Sequence, residues 1–172
     1  MKWKTSLLTE LQNIFERDDN WKTYSEKLKD NPSDIAIHLA IFSEQLMNKL
    51  IKGEKTVESR FSLNNVSPFG RIVKGDLVVV KKSGGPVTAM FVAGTINSYH
   101  DLTPKKITAL KIEHSLSLGL ALDDAFWEEK LNSKFATFIK VDKLKPTTPF
   151  IIEKKDRTGW VVVKPRYETM LF

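Results

Sequence analysis

The sequence predicts an α+β fold in which a helical extension precedes a partly closed β-barrel with helices at its crossings. Two patterns predict it. Short apolar runs bounded by glycine, proline and other turn residues recur from residue 34 onward, which is typical of a domain built from short strands. The first 33 residues instead carry apolar side chains at helical spacing. We therefore expect a helical extension over residues 1–33 and a barrel domain over residues 34–172.

Two helices are expected in the extension. Asp19 or Asn20 is placed to cap the second helix, and Asn31-Pro32 is expected to end it because proline cannot continue a helix. The aromatic side chains of both helices are expected to pack against the barrel as core. The stripe that indicates the first helix consists of Trp3, Leu7, Leu11, Ile14 and Phe15.

The barrel strands are predicted from apolar or alternating runs between turn signals. Residues 62–70 form a loop by composition, and Lys81-Lys82-Ser83-Gly84-Gly85-Pro86 reads as a tight turn. Helices are expected near residues 103–115 and 123–131, with Thr103 and Pro104 as the cap and first-turn residue of the first of these. The expected strands are residues 34–42, 56–61, 77–80, 87–98, 134–144, 147–152 and 159–164.

One helix and the strand after it bring three charged residues together. Ser43 is a suitable cap for the helix, and Gly53 fits the left-handed residue that follows its last turn. On the next strand Glu58 and Arg60 lie two residues apart, which places them on one face with backbones ~7 Å apart. Lys55 reaches the same face from the turn. From spacing alone, an exposed ion pair is the commoner explanation, and a functional site is the alternative.

The spacing Gly-x-Lys-x-x-Glu-x-Arg, formed by Gly53, Lys55, Glu58 and Arg60, resembles the signature of the ASCH domain, a relative of the PUA RNA-binding fold. The resemblance therefore implies a PUA-like barrel. It also implies an RNA- or nucleotide-binding cleft lined by Lys55, Glu58 and Arg60. The resemblance to the ASCH domain extends over roughly residues 35–165. The further segments that carry it are His38-Leu39-Ala40-Ile41, Gly75-Asp76 and Asp156-Arg157-Thr158-Gly159-Trp160.

The resemblance leaves an enzymatic alternative open. Some small ASCH proteins are amidohydrolases that act on acylated cytidine nucleosides, and others are ribonucleases. A lysine beside an arginine has its charged form disfavoured, so Lys55 would be the general base and Glu58 a proton carrier. The amidohydrolase subgroup carries threonine where this chain has Glu58, which separates the two patterns. A third hypothesis is a protein-interaction module that uses the N-terminal helices.

The charge distribution favours a phosphate-bearing partner for the barrel domain. The chain has a net charge of +6 and a pI near 9.4, and residues 1–33 contain six basic and six acidic side chains. The whole excess therefore lies in residues 34–172, which fits single-stranded RNA or a nucleotide or nucleoside ligand. Trp160 is a candidate for stacking on a base, and a core position at the start of its strand is the alternative. The basic candidates for phosphate contacts outside the motif are Lys81, Lys82, Lys154, Lys155 and Arg157.

Composition excludes several other classes. The chain has no cysteine, so it has no disulfide, thiol nucleophile or cysteine-bound zinc. His38, His100 and His114 lack metal-ligand spacing, so neither a metal nor a cofactor is expected. No run approaches the ~20 apolar residues that a membrane span needs, and the polar start does not resemble a signal peptide. We expect a cytoplasmic protein.

Overall fold

The computed structural model describes residues 1–30 and 33–167 and contains one six-stranded mixed sheet. The sheet curls into a half-barrel, and five helices accompany it, which confirms the predicted α+β, partly closed, PUA-like barrel. The strand order is β2-β5-β4-β3-β1-β6, where β1 runs parallel to β3 and the other neighbours are antiparallel. The edge strands β2 and β6 therefore face each other across the open side of the barrel.

The boundaries of the elements follow the sequence patterns closely. The helices are α1 (Lys2–Glu16), α2 (Lys22–Lys29), α3 (Glu44–Ile51), α4 (Pro104–Leu118) and α5 (Ala125–Lys130), with a short 3-10 helix at Asp19–Trp21. The strands are β1 (Ile37–Phe42), β2 (Val57–Ser62), β3 (Leu77–Lys82), β4 (Val87–Tyr99), β5 (Phe135–Phe150) and β6 (Trp160–Lys164).

Two of the predicted N-terminal helix caps are present in the structure. Ser43 accepts a hydrogen bond from the Leu46 amide and Thr103 accepts one from the Lys106 amide, so both predicted caps are confirmed. Neither Asp19 nor Asn20 caps α2. Asp18 caps the 3-10 helix that precedes it, and Trp21, at the N-cap position of α2, makes no side-chain capping bond. The predicted terminator of α2, residues 31–32, lies outside the described residues.

The prediction of separate strands at 134–144 and 147–152 is wrong. β5 is a single strand of 16 residues that pairs with β2 on one side and β4 on the other. Pro146 lies within it opposite Ala89, and Lys143 has a positive φ of 45° where the register is irregular. These residues bend β5 without ending it, because β4 continues beside it as a pairing partner.

The N-terminal helices share a core with one face of the sheet. Leu7, Leu11 and Phe15 of α1 are fully buried in a cluster with Leu39 and Met90 of the sheet. The same cluster contains Trp21, which stacks on Phe15 at 5.5 Å between ring centroids. The aromatic residues of the extension are therefore core, as expected, while the division of the chain near residue 33 stays a prediction.

Two further clusters fill the rest of the barrel. One contains Phe42 and Leu50 with Trp160, so it links β1, α3 and β6. The other lies under α4 and α5 and contains Trp127 and Phe138. Within residues 1–30 and 33–167, none of the helices has both the length and the apolarity that a membrane crossing needs.

Shortening one buried side chain of α1 tests whether this helix shares a core with the sheet. Leu11→Ala is expected to lower the free energy of unfolding by about 2–5 kcal/mol, because it leaves a cavity between α1 and the sheet. Leu116→Ala makes the same change at an α4 side chain that is 90% exposed, and it should stay within about 0.5 kcal/mol of the unmodified protein. Urea unfolding measures both values. Equal values for the two variants would contradict the packing of α1 on the sheet.

Candidate functional site

Arg60 joins the two edges of the sheet across the open side of the barrel. It lies on the edge strand β2, and its Nη2 donates to the Ile41 carbonyl of β1 at 2.9 Å. Its Nη1 donates to the Gly159 carbonyl, just before β6, at 3.2 Å. The Ile41 amide also donates to Gly159, at 2.9 Å. We call the region between β2 and the β1–β6 edge, which Arg60 spans, the seam.

Local sequence sets the position of this arginine. α3 ends at Ile51, and Gly53 takes the left-handed conformation with φ 79°, which turns the chain toward β2. β2 then pairs with β5 in continuous register, with Glu58 opposite Ile139 and Arg60 opposite Thr137. Because side chains alternate along a strand, Glu58 and Arg60 point to the same face.

The motif residues form a row of alternating charge, Lys55–Glu58–Arg60. Glu58 Oε1 accepts from Arg60 Nε at 2.8 Å, and Lys55 Nζ lies 3.3 Å from Glu58 Oε2. Lys55 Nζ also donates to the Leu118 carbonyl at 3.3 Å. Lys55 is 3% exposed and Glu58 4% exposed, so the row is buried at one end and emerges at Arg60. Burial on this scale rules out the exposed ion pair that the spacing alone allowed.

Two aromatic rings flank the guanidinium. The Arg60 Cζ lies 5.4 Å from the ring centroid of Phe42 and 5.2 Å from that of Trp160, within cation–π range. Trp160 is only 5% exposed, and its Nε1 donates to His38 Nδ1 at 3.0 Å. The indole is therefore held beneath Arg60 rather than presented to solvent for base stacking.

A buried polar network holds the tryptophan in turn. His38 Nε2 lies 3.2 Å from Asp76 Oδ2, and Arg166 also contacts that oxygen. Since Nδ1 accepts from Trp160, Nε2 carries the ring proton and donates to Asp76. Burial alone would raise the pKa of Asp76, but hydrogen bonds from His38, Arg166 and the amides of Val73 and Ala36 outweigh burial and lower that pKa. His38 is thus a fully buried, hydrogen-bonded core residue.

Two cavities adjoin Arg60. The larger, of about 490 Å³, lies against residues 60–62, the loop at residues 66–69 and residues 158–160. The smaller, of about 250 Å³, lies between the end of β1, the start of α3 and β2. Apolar and hydroxyl-bearing side chains surround the larger cavity, and among them are Val66, Pro68, Phe69, Ser62, Ser67 and Thr158. Lys55 lines neither of the two.

Arg60 keeps hydrogen-bonding capacity at these cavities. A guanidinium has five N–H donors, and Arg60 uses three of them, toward Glu58, Gly159 and Ile41. Among the described residues nothing accepts from the other two. The site therefore offers an oriented positive group with donors available beside apolar and hydroxyl surfaces.

The other basic candidates lie on the far side of Ile41, near the end of β3. β3 continues through Lys82, so Lys81 and Lys82 belong to a strand rather than to the predicted turn, which centres on Gly84 with φ 66°. Lys82 pairs with Glu44 at 2.8 Å. With Lys154, Lys155 and Arg157 they surround this end of the sheet, and Lys155 and Arg157 are exposed. The structure thus places the predicted basic residues in two groups, one at the seam and one beyond Ile41.

Sequence reasoning missed the contacts that come from backbone or loop geometry. The carbonyls of Ile41 and Gly159 have no sequence signature, and neither does the loop at residues 66–69 that closes the larger cavity. The pairing of His38 with Asp76 joins two segments, His38-Leu39-Ala40-Ile41 and Gly75-Asp76, that the resemblance named separately. Across the described ranges no cluster of three or more potential metal ligands occurs.

Comparison with solved structures identifies the fold. The ASCH protein from Zymomonas mobilis superposes with a TM-score of 0.58 at 10% identity, covering 73% of this chain and 86% of that one. A mutant of the same protein gives a TM-score of 0.57 at 11% identity, covering 75% and 89%. No family model and no curated protein matches the sequence. The structural likeness covers most of both chains, and the chain accordingly has an ASCH-type fold.

Proposed function

We propose that the seam binds single-stranded RNA or a nucleotide, with Arg60 as its anion-binding group. The observation that carries the proposal is the state of Arg60: its guanidinium is fixed by three hydrogen bonds and two aromatic rings, yet it borders both cavities and keeps two N–H donors. A fixed guanidinium of this kind binds phosphate oxygens well, because its planar donors match phosphate geometry.

The surroundings of Arg60 suit the rest of a nucleotide. Val66, Pro68 and Phe69 supply apolar surface for a base, and the hydroxyls of Ser62 and Thr158 supply partners for sugar or base oxygens. The excess of positive charge in residues 34–172 would attract a polyanion to the same part of the molecule. The PUA-like character of the fold, linked above to RNA binding, points the same way.

Lys55, Glu58 and Trp160 act in this proposal as positioning residues. Glu58 fixes the guanidinium through Nε, Lys55 balances the charge of Glu58, and the Trp160 ring supports the guanidinium from one side. Lys55 and Glu58 were expected to contact the ligand. Lys55 is buried and lines neither seam cavity, whereas Glu58 lines the smaller one beside Arg60. Direct contact is therefore assigned to Arg60 and to the cavity walls.

The geometry favours binding over hydrolysis. A general base must reach the proton that it abstracts, and Lys55 Nζ is instead enclosed by the Leu118 carbonyl and Glu58. A protein-interaction role for the N-terminal helices is also less well supported, since the apolar face of α1 is buried on the sheet.

Removing the guanidinium should weaken RNA binding selectively. Arg60→Gln is expected to lower the affinity for a short single-stranded RNA at least about tenfold, because charge-assisted hydrogen bonds to phosphate are lost. It should also reduce the slope of log affinity against log salt by about 0.7 for each phosphate contact removed. Fluorescence anisotropy at several salt concentrations measures both quantities.

Arg17→Gln is the matched control. Arg17 is an exposed arginine directly after α1, and its substitution by glutamine changes the net charge by the same amount as Arg60→Gln. It should retain the affinity of the unmodified protein to within about twofold. Equal losses in the two variants would show that only net charge matters, and the proposal would then fail. Thermal melting of each variant confirms that binding is measured on folded protein.

A second substitution separates the positioning role of Lys55 from a catalytic one. Lys55→Met keeps most of the apolar stem but removes the charge that faces Glu58, so it should lower Tm, because loss of one partner of a buried ion pair is destabilising. RNA affinity measured below Tm should fall, but less than in Arg60→Gln, because the guanidinium remains and only its support through Glu58 is weakened. Assays of acylated cytidine and short RNAs should detect no turnover. Turnover that disappears in Lys55→Met while Tm is unchanged would instead identify Lys55 as a catalytic base.

A further inference from the structure

A third cavity, of about 400 Å³, lies beyond Ile41 between the end of β3 and the loop at residues 154–157. We call it the basic pocket. Four of its lining residues are cationic, and Asp156 is the one carboxylate among them. The cationic residues are Lys81, Lys154, Lys155 and Arg157, and Ile41 also lines the pocket.

Lys154 and Asp156 neutralise each other and build the wall of the pocket. Lys154 Nζ donates at 2.9 Å to the Asp156 carboxylate, to the Asp156 carbonyl and to the Thr158 carbonyl. These three bonds use every N–H of the ammonium. The hydrogen bond from Lys154, followed by bonds from Thr158, holds the pKa of Asp156 well below its usual range. The pair fixes the loop and is not available to a ligand.

Lys81 is left without an anion. It is 8% exposed, and its Nζ donates to one acceptor, the Lys82 carbonyl, at 3.2 Å. No carboxylate of the described residues pairs with it. Burial, and then the nearby charge of Lys154, lowers the pKa of Lys81. An under-bonded ammonium that lines an open polar cavity is stabilised when an anion enters, since desolvation and repulsion are then offset.

We propose that the basic pocket is a phosphate subsite in which Lys81 binds a second phosphate of a strand held at the seam. The inference rests on the proposed function, and it makes the ligand an oligonucleotide rather than a mononucleotide. Lys155 and Arg157, both exposed at the rim, supply further positive charge to the same phosphate.

Strand pairing places the subsite beside Arg60. Ile41 pairs directly with Lys81 between the parallel strands β1 and β3, and neighbouring strands lie about 4.8 Å apart. The carbonyl of the same Ile41 accepts from Arg60 Nη2, and Ile41 lines both the smaller seam cavity and the basic pocket. An RNA strand that crosses Ile41 would therefore contact Arg60 on one side of this residue and Lys81 on the other.

The test compares a nucleotide with one phosphate and a dinucleotide with two. Uridine 5′-monophosphate and 5′-phosphorylated uridylyl-uridine are titrated into the unmodified protein, Lys81→Met and Lys105→Met. Lys105 is the matched control, because it is exposed on α4 and lines neither the seam cavities nor the basic pocket. The unmodified protein and Lys105→Met should bind the dinucleotide about tenfold more tightly than the mononucleotide.

In Lys81→Met this gain should disappear while mononucleotide affinity is retained. Its Tm without ligand should not fall, since the substitution removes a buried charge that lacks a counter-ion. If Lys81→Met still binds the dinucleotide more tightly than the mononucleotide, the basic pocket is not the second phosphate subsite, and the proposed function is unaffected.

A measurement with inorganic phosphate does not depend on nucleotide binding. Phosphate should raise the Tm of the unmodified protein and of Lys105→Met, and it should raise that of Lys81→Met less. If the unmodified protein binds neither nucleotide, the proposed function fails, while a phosphate effect that depends on Lys81 would still support an anion site in the pocket. An equal phosphate effect in all three proteins would overturn the assignment to Lys81.

Discussion

The side chain of Arg60 spans an edge of the barrel that backbone hydrogen bonds leave open. β2 and β6 end the sheet, and the guanidinium reaches from β2 to the carbonyls of Ile41 and Gly159. The seam is thus joined by one charged group rather than by a ladder of amides. This arrangement places a cation in the wall of the barrel, where a closed sheet would have presented only backbone.

The rest of the site follows from the need to hold that cation. A guanidinium partly removed from water requires a counter-charge and bonded donors, and Glu58 and the two carbonyls provide them. Lys55 compensates the burial of Glu58, while the network from Asp76 through His38 fixes the ring of Trp160 beneath Arg60. Residues that resemble a ligand-binding motif in the sequence therefore serve largely to orient one arginine.

Local sequence patterns predicted most of the fold. The geometry of the site depends on contacts between residues that are distant in sequence, and no local pattern reveals these contacts. The caps at Ser43 and Thr103 and the shared face of Glu58 and Arg60 follow from local spacing, and the structure contains all of them. The two strands expected at residues 134–144 and 147–152 form one strand, because pairing with β4 continues past Pro146. The hydrogen bond that holds Trp160 could not be predicted, because its acceptor, His38, lies 122 residues away in the sequence.

NMR of arginine side chains tests the central claim most directly. The chain has five arginines, each with one Nε–Hε group, and the Arg60 signal is identified by its loss in Arg60→Lys. Its hydrogen bond to Glu58 should slow exchange with water and keep the signal visible. During titration with a short single-stranded RNA, this signal is expected to shift until saturation. An unchanged Arg60 signal in a saturated complex would contradict the account, because RNA would then bind without engaging the seam.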